Sequence, residues 1–458
     1  MSTPDVEEYR AEHAGEPEQI GFSEDELALE FTRRYRDELL YVDEWNRWPR
    51  WDGARWRADR TREVYDLARR VCRRAAEFAT TETERKRLRS AQTVAAVVKL
   101  ACADRDHARV TEDWDSDPWL LNTPDGTNDL RSGASREHRR SDMITRVTSV
   151  APGGSCPLWL ASLERWTDGD EELVGFLRRF VGYALTGETR EHVFGFSHGV
   201  GANGKSTFHG LLTYALGDYA AVAPVETFTE AHTDRHPTEL AMLRGARLVV
   251  ATETTEGRRW DETRIKTLTG GDPVSARFMR RDFFTFTPQF KLLISGNHKP
   301  GLRSVDEAIR RRLLLVPWSV TIPPRERDPE LSEKLRAEAP GILAWAIVGC
   351  LEWQDVGLKP PARVLEATES YFAEQDSVAR WIEDRLVVAR NASATLTALY
   401  RDWQEWARDA GEYVHSQAAV LERLRERLGD QIDDARLGKR RDRALLGVGL
   451  ATDTEAEK

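Results

Sequence analysis

The residues Gly199–Thr207 read GVGANGKST and fit the phosphate-loop pattern G-x-x-x-x-G-K-[ST] at Gly199, Gly204, Lys205 and Ser206. Glycines let the backbone wrap closely, so that several N–H groups point inward at a phosphate chain. Lys205 is expected to reach the β/γ-phosphates and Ser206 to ligate Mg²⁺. Gly199, Gly201, Asn203, Gly204 and Thr207 complete the expected ATP contacts. The apolar EHVFGFSH before the loop predicts a buried strand, and TFHGLLTYALG after it predicts a helix whose N-terminus adds its dipole to the site.

Downstream, ARLVVATETTEG (Ala246–Gly257) predicts a buried strand ending in acids. Glu253 is the expected group that orients the attacking water, with Glu256 as a second candidate. Thr252 stands where many phosphate-loop enzymes carry an aspartate, which leaves direct carboxylate ligation of Mg²⁺ open. FKLLISGNHKP predicts another buried strand, with Asn297 at its tip to bond the γ-phosphate or the water. DEAIRRRLLLVPW places Arg310, Arg311 and Arg312 just before an apolar strand. A guanidinium fork suits a phosphoryl transition state, and Arg311 and Arg312 are the candidates. A surface arginine cluster held by Asp306 and Glu307 is the bland alternative.

Between these lies SARFMRRDFFTF, whose alternation predicts a hairpin with Met279, Arg280 and Arg281 near its tip. With Arg277 and Lys266, these are the candidate DNA contacts, expected to grip phosphodiester without reading bases. Trp45, Trp48, Trp51 and Trp56 lie around a turn predicted at Asp52-Gly53. They are expected as core or hairpin pairs more than as a base-stacking platform. Asp113, Asp115 and Asp117 read as turn formers rather than a metal site, so Ser206 is the one expected metal contact.

The chain of 458 residues is too long for one ordinary core. The expected order is an acidic disordered arm (1–20), an N-terminal α/β domain (21–150), a helical segment (151–190), the phosphate-loop core (191–320), a second helical segment (321–387), and a winged-helix-like C-terminal domain (388–458). Ser23, with Glu26 three residues later, predicts a capped helix, and residues 61–108 predict two amphipathic helices. The four cysteines are scattered, which excludes a zinc ribbon and a disulfide framework. No apolar run could span a bilayer, so a cytoplasmic protein is expected. The formal net charge of −10 argues against a nucleic-acid partner until its distribution is considered. From Arg258 to Arg312 there are 13 basic residues against 6 acids, a local excess that suits an anion.

The order GVGANGKST, RLVVATETTEG, IKTLTGGDPVSARFMRRDFF, FKLLISGNHKP, DEAIRRRLLLVPW resembles the superfamily 3 helicases, in the branch of phage and plasmid primase–helicases related to the poxvirus enzyme. The resemblance is strongest over about 180–320. It implies an AAA+-type α/β core, a homo-hexameric ring with ATP hydrolysed between subunits, and single-stranded DNA gripped in the central channel by the hairpin before Asn297. It also implies 3′-to-5′ translocation and places Lys266 and Asp272 in the family's extra motif. On this likeness Glu253 is catalytic, Asn297 is the sensor, and Arg311 or Arg312 is the finger. Many relatives carry a primase ahead of the helicase. Only about 180 residues precede the core here and no primase site is evident, so a separate primase or replication-initiation protein is the expected partner.

The expected function is therefore an ATP-driven DNA helicase for phage, prophage or plasmid replication, in a bacterial or phage-infected cytoplasm. An ATP-switched origin or loading scaffold that binds DNA without unwinding it is the alternative, and a defence or packaging ATPase is a third.

Overall fold

The computed structural model describes residues 21–230, 238–252, 257–302, 306–438 and 441–451. The expected acidic arm, Glu253, Glu256, Lys439 and Arg440 lie outside the described residues.

The chain enters through helix α1 (Glu24–Tyr35). Ser23 Oγ accepts from the Glu26 amide and the Glu26 carboxylate accepts from the Ser23 amide, so the expected capping box forms. Helices α2 (Glu63–Glu77), α3 (Glu82–Leu88) and α4 (Ala91–Ala101) follow. The region expected to hold two helices holds three. Thr81 and Glu84 form a second capping box, which starts a new helix immediately after α2 ends. Leu27 and Phe31 of α1, Leu67 and Val71 of α2, and Val94 and Val97 of α4 share one core.

Strand β1 (Tyr41–Val42) leads to the hairpin β2 (Pro49–Trp51) and β3 (Trp56–Ala58), in which Trp51 pairs with Trp56. Asp52 Oδ1 accepts from the amides of Ala54 (3.0 Å) and Arg55 (2.9 Å), closing the turn expected at Asp52-Gly53. Trp48 and Trp56 are buried as expected of core residues, while Trp45 and Trp51 are half-buried. Strand β4 (Ala108–Arg109) pairs in parallel with β1.

Strands β5 (Leu120–Thr123), β6 (Gly126–Asp129) and β7 (Ala134–Arg136) form a small antiparallel sheet. Leu121 and Leu130 pack into the same core as the helices that follow, while Met143, beyond the sheet, packs against Trp56 and Trp114 of the N-terminal unit. The Asn122 amide donates to the hydroxyl of Tyr219, far along the chain.

Helices α5 (Pro157–Thr167) and α6 (Glu171–Leu185) lead to a five-stranded, wholly parallel sheet. Its strands are β8 (Phe194–His198), β9 (Ala220–Pro224), β10 (Leu248–Thr252), β13 (Lys291–Gly296) and β14 (Leu313–Pro317), in the spatial order β14-β8-β13-β10-β9. Side chains alternate across it. Leu248, Val250, Leu293 and Val316 face one core, and Val249, Ala251, Leu292, Ile294 and Leu315 face the other. Burial on both faces explains why these strands read as continuous apolar runs. Helix α7 (Lys205–Leu216) follows β8, and helix α8 (Glu262–Gly270) precedes the short hairpin of β11 (Val274–Ala276) and β12 (Phe284–Phe286). Helix α9 (Glu307–Arg310) leads into β14.

Helices α10 (Leu331–Ala337), α11 (Ala339–Val356) and α12 (Ala362–Gln375) pack onto this sheet and the helices around it, and do not form a separate segment. Thr368 Oγ1 of α12 accepts from the amide of Leu315 at 2.9 Å. The C-terminal unit has its own core, built from helix α13 (Ser377–Arg385), strand β15 (Leu386–Thr395), helices α14 (Leu396–Asp409) and α15 (Gln417–Leu428), and strands β16 (Asp433–Leu437) and β17 (Asp442–Leu450). Its sheet is antiparallel in the order β15-β17-β16. It begins at α13 and not at residue 388, because Trp381 lies edge-on to Trp403 and donates to Asp402 at 2.7 Å. All four cysteines are free, and no described helix is long and apolar enough to cross a membrane.

Helix α6 crosses α11 so closely that glycine is required on both: a β-carbon on Gly349 would overlap the carbonyl of Arg178, and one on Gly182 the backbone of Cys350. Neither obstacle is a flexible side chain. Gly349→Ala is expected to force the two helices apart and cost about 1–3 kcal/mol. A lowered melting transition in calorimetry checks this, and an unchanged one refutes the close packing.

Candidate nucleotide site

Three elements converge at the carboxyl ends of adjacent strands. The glycine loop leaves β8 after His198. Asn297 leaves β13 after Gly296, which pairs with His198. Thr252 ends β10 opposite Ser295 of β13. Ligands of open parallel sheets bind at this edge.

The loop is braced from below. Gly204 has φ +89°, and a β-carbon there would collide with the indole of Trp166. Asn203 Nδ2 donates to the carbonyls of Val200 (2.9 Å) and Trp318 (3.1 Å), which ties the loop to the end of β14. The amide of Ile322 donates to the carbonyl of Ala202, a residue with φ +59°. Trp166 and Trp318 were not singled out from the sequence. Both lie on buried aromatic surface under the loop, and a tryptophan outside a motif carries no sequence signal of that role.

Lys205 opens α7 and is almost wholly buried. Its ammonium donates to the carbonyl of Gly199 at 2.5 Å and to Asn297 Oδ1 at 3.3 Å. Burial pulls its pKa down to about 8, and among the described residues no carboxylate pairs with it. Beneath it His209 accepts or donates at Ser197 Oγ (3.2 Å), and burial holds the ring far toward the neutral form, at about 3. The site thus contains a buried lysine that, among the described residues, donates only to neutral oxygens. Ser206 is exposed beside it at the head of α7. A phosphate chain and a hard cation fit this set: an under-neutralised ammonium, a helix N-terminus and a free hydroxyl.

The three arginines before β14 have three different fates. Arg310 is held by Glu369 (2.7 Å) and lies over Phe372. Arg312 is 9% exposed and donates to the carbonyl of Ala308 within its own chain. Arg311 is exposed and makes no side-chain pairing among the described residues. Lys266, expected to face DNA, instead contacts Asp306 at 2.5 Å, and Asp306 caps α9 by accepting from the amide of Ile309. Lys266 therefore positions the helix that carries the arginines. Asp272 is exposed close to Arg312.

The hairpin forms as expected. Val274 pairs with Phe286 and Ala276 with Phe284, leaving 277–283 as its tip. Met279, Arg280 and Arg281 are exposed there, while Arg277 lies over the ring of Phe283. The aspartates 113, 115 and 117 are turn formers: Asp115 accepts from Thr145, Asp117 pairs with Arg131, and Asp113 accepts from the Val110 amide. No cluster of metal-ligating residues occurs among the described residues.

Two families match the chain: D5 N terminal like over residues 28–168, and a family of unknown function, DUF5906, over residues 197–312. The chain is 26% identical over 318 residues to the protein named "Putative helicase L207/L206" of Acanthamoeba polyphaga mimivirus, covering 64% of this chain and 33% of that protein. It is 28% identical over 296 residues to "Putative helicase 022R" of Frog virus 3, covering 58% of this chain and 30% of that protein. The chain therefore spans about a third of the length of either relative. The apo structure of the NrS-1 C-terminal region superposes with a TM-score of 0.50 at 11% identity, covering 90% of this chain and 96% of that one, which shows a shared fold.

The lowered pKa of Lys205 has a consequence for stability. The folded chain holds fewer protons than the unfolded chain between about pH 8 and the ordinary lysine range, so ligand-free stability should rise as pH increases through that window. Melting temperatures measured from pH 7.5 to 10 should show this rise in the wild type and lose it in Lys205→Met. Parallel profiles would mean that the ammonium is not desolvated.

Proposed function

We propose that this chain, a relative of the phage and plasmid primase–helicases of superfamily 3, is an ATP-driven 3′-to-5′ DNA helicase that works as a homo-hexameric ring on single-stranded DNA. The observation that carries the reading is the contact of Lys205 with Asn297 beneath the glycine loop. It joins the phosphate-binding cation to the polar tip of the neighbouring strand, where a γ-phosphate would lie between them. Counted in chain order, the five sheet strands run 5-1-4-3-2 in space. An Asn297 strand inserted between the loop strand and the acid-bearing strand supports an AAA+-type core. The helix–strand–helix–helix–hairpin order of the C-terminal unit supports a winged helix. Phage, prophage or plasmid replication is the setting that the family likeness suggests.

The roles follow from position. Lys205 balances charge on the terminal phosphates. Asn297 orients the γ-phosphate or the attacking water, and Glu253 polarises that water. Ser206 would hold Mg²⁺, which when bound neutralises charge on the β/γ-oxygens. Arg311, exposed and uncommitted, is the finger offered to the next subunit's nucleotide, and burial assigns Arg312 a structural role. Thr252 at the tip of β10, where many such enzymes carry an acid, favours one second reading: a scaffold that binds ATP and DNA but turns over slowly.

Unwinding of a 3′-tailed duplex with ATP and Mg²⁺ is expected, with hydrolysis reduced to background in Lys205→Ala. Rings that hydrolyse ATP slowly, bind DNA in an ATP-dependent way and displace no strand would select the scaffold. Arg311→Ala should lower hydrolysis by about 10³–10⁵ while leaving nucleotide binding intact. Mixing it with Lys205→Ala should recover part of the activity at composite interfaces. Absence of recovery in assembled mixtures would place Arg311 outside catalysis.

A further inference from the structure

The N-terminal unit and the sheet-borne hairpin enclose a cleft of about 2700 Å³. That is several times the ~300–1,000 Å³ of a small-molecule site, so a polymer is the natural occupant. One wall is the β2–β3 hairpin and the segment leading to it, and the other is the tip between β11 and β12. The floor is tied together. Arg244 lies over Trp45 of the first wall (5.8 Å) and over Phe284 of the second (5.1 Å), and Arg146 donates to the carbonyl of Arg244 at 2.6 Å. The two walls are thus parts of one surface.

The charge on that surface is selective. Arg50 and Arg55 are committed to Glu38, Glu63 and Asp218. Arg47, Arg57 and Arg60 on the first wall and Arg280 and Arg281 on the second are exposed and pair with no acid among the described residues. Of the lining acids, Asp52, Glu63 and Asp218 are ion-paired to Arg50 or Arg55. Asp59 accepts from the amides of Thr61 and Val64, Asp115 is held by Thr145, and Asp218 by Arg55. Glu44, Asp59, Glu112, Asp115 and Asp282 make no ion pair among the described residues and keep their charge on the same lining as the five arginines. Between the cations lie ring surfaces: half-buried Trp45 and Trp51 on one side, exposed Phe278 and Phe283 on the other. A duplex hides its bases and would use only the cations. A single strand uses phosphates and base faces together, and unpaired arginines interleaved with aromatic rings match that chemistry.

We propose that the N-terminal β2–β3 wall is a second grip on single-stranded DNA, closing on the strand opposite the β11–β12 tip of the same subunit. The choice of DNA rests on the helicase reading, while the cleft's chemistry stands apart from it. The strand would pass between Arg57 and Arg60 on one side and Arg280 and Arg281 on the other, with bases against Trp45 and Trp51.

The test uses the full chain and a fluorescent homothymidine oligonucleotide, with anisotropy followed over a salt series. The double variant Arg57→Ala/Arg60→Ala changes exposed, unpaired side chains, so the fold should survive, as an unchanged melting temperature would confirm. Each lost phosphate contact should lower the log–log salt slope by about 0.7, so this variant should lose about 1.4 while basal hydrolysis is unchanged. Photo-crosslinking with a bromodeoxyuridine-substituted strand should label peptides containing Trp45 or Trp51. An unchanged slope with crosslinks confined to 277–283 would overturn the second grip and leave the helicase reading standing. Tighter binding of duplex than of the single strand would overturn it as well. Wild-type protein that binds no oligonucleotide would instead remove the helicase reading on which the choice of DNA rests.

Discussion

Strand β13 hydrogen-bonds to β8 on one side and β10 on the other, and that insertion determines what the edge of the sheet can do. Were β8 beside β10 directly, Asn297 would sit at a distant edge and Lys205 would have only backbone to donate to. The parallel register brings Gly296 level with His198 and Ser295 level with Thr252, so loop, amide and strand tip end at the same height. The glycine loop can then fold back over Lys205 because Trp166 and Trp318 form a rigid surface beneath it. The low pKa of Lys205 is a product of the same construction, which buries its ammonium against the neutral oxygens of Gly199 and Asn297.

The opposite end of the strands is fixed by two other buried cations. Arg247 enters β10 and donates to the carbonyls of Leu185 and Leu120, both at 2.8 Å. Lys291 opens β13 and donates to the carbonyls of Thr186, Glu188 and Gln289. Leu185 and Thr186 end helix α6, where unpaired carbonyls and the negative end of the dipole meet the charges. Burial still pulls both pKa values down. These contacts lock the strand order by pinning two neighbouring strands to one helix end, which in turn holds the β5–β7 sheet through Leu120.

What was legible in the chain was chemistry with local geometry. The glycine loop, the capping box at Ser23, the turn at Asp52-Gly53 and the hairpin carrying Arg280 and Arg281 each follow from a few adjacent residues, and each is found where expected. What escaped depends on distant partners. Arg247 and Lys291 look like solvated charges preceding apolar strands, and only the fold places carbonyls around them. Lys266 read as a DNA contact because it lies in a basic stretch, and its partner Asp306 arrives from the far side of β13. Arg311 and Arg312 are indistinguishable in a run of three arginines until one is buried and the other exposed. The C-terminal unit starts before residue 388 for the same reason: Trp381 belongs to the core that covers it, not to the nearest proline-rich break.

Arg311, exposed and unpaired among the described residues, can complete the proposed nucleotide site only from a second copy of the chain. An image of the assembled particle with a non-hydrolysable ATP analogue and a homothymidine strand tests that claim most directly. It should show a closed ring, the analogue's phosphates between Lys205 and Asn297, and Arg311 of one subunit reaching the γ-phosphate held by the next. Analogue bound in a lone subunit, or a ring in which Arg311 faces solvent away from every nucleotide, would contradict it.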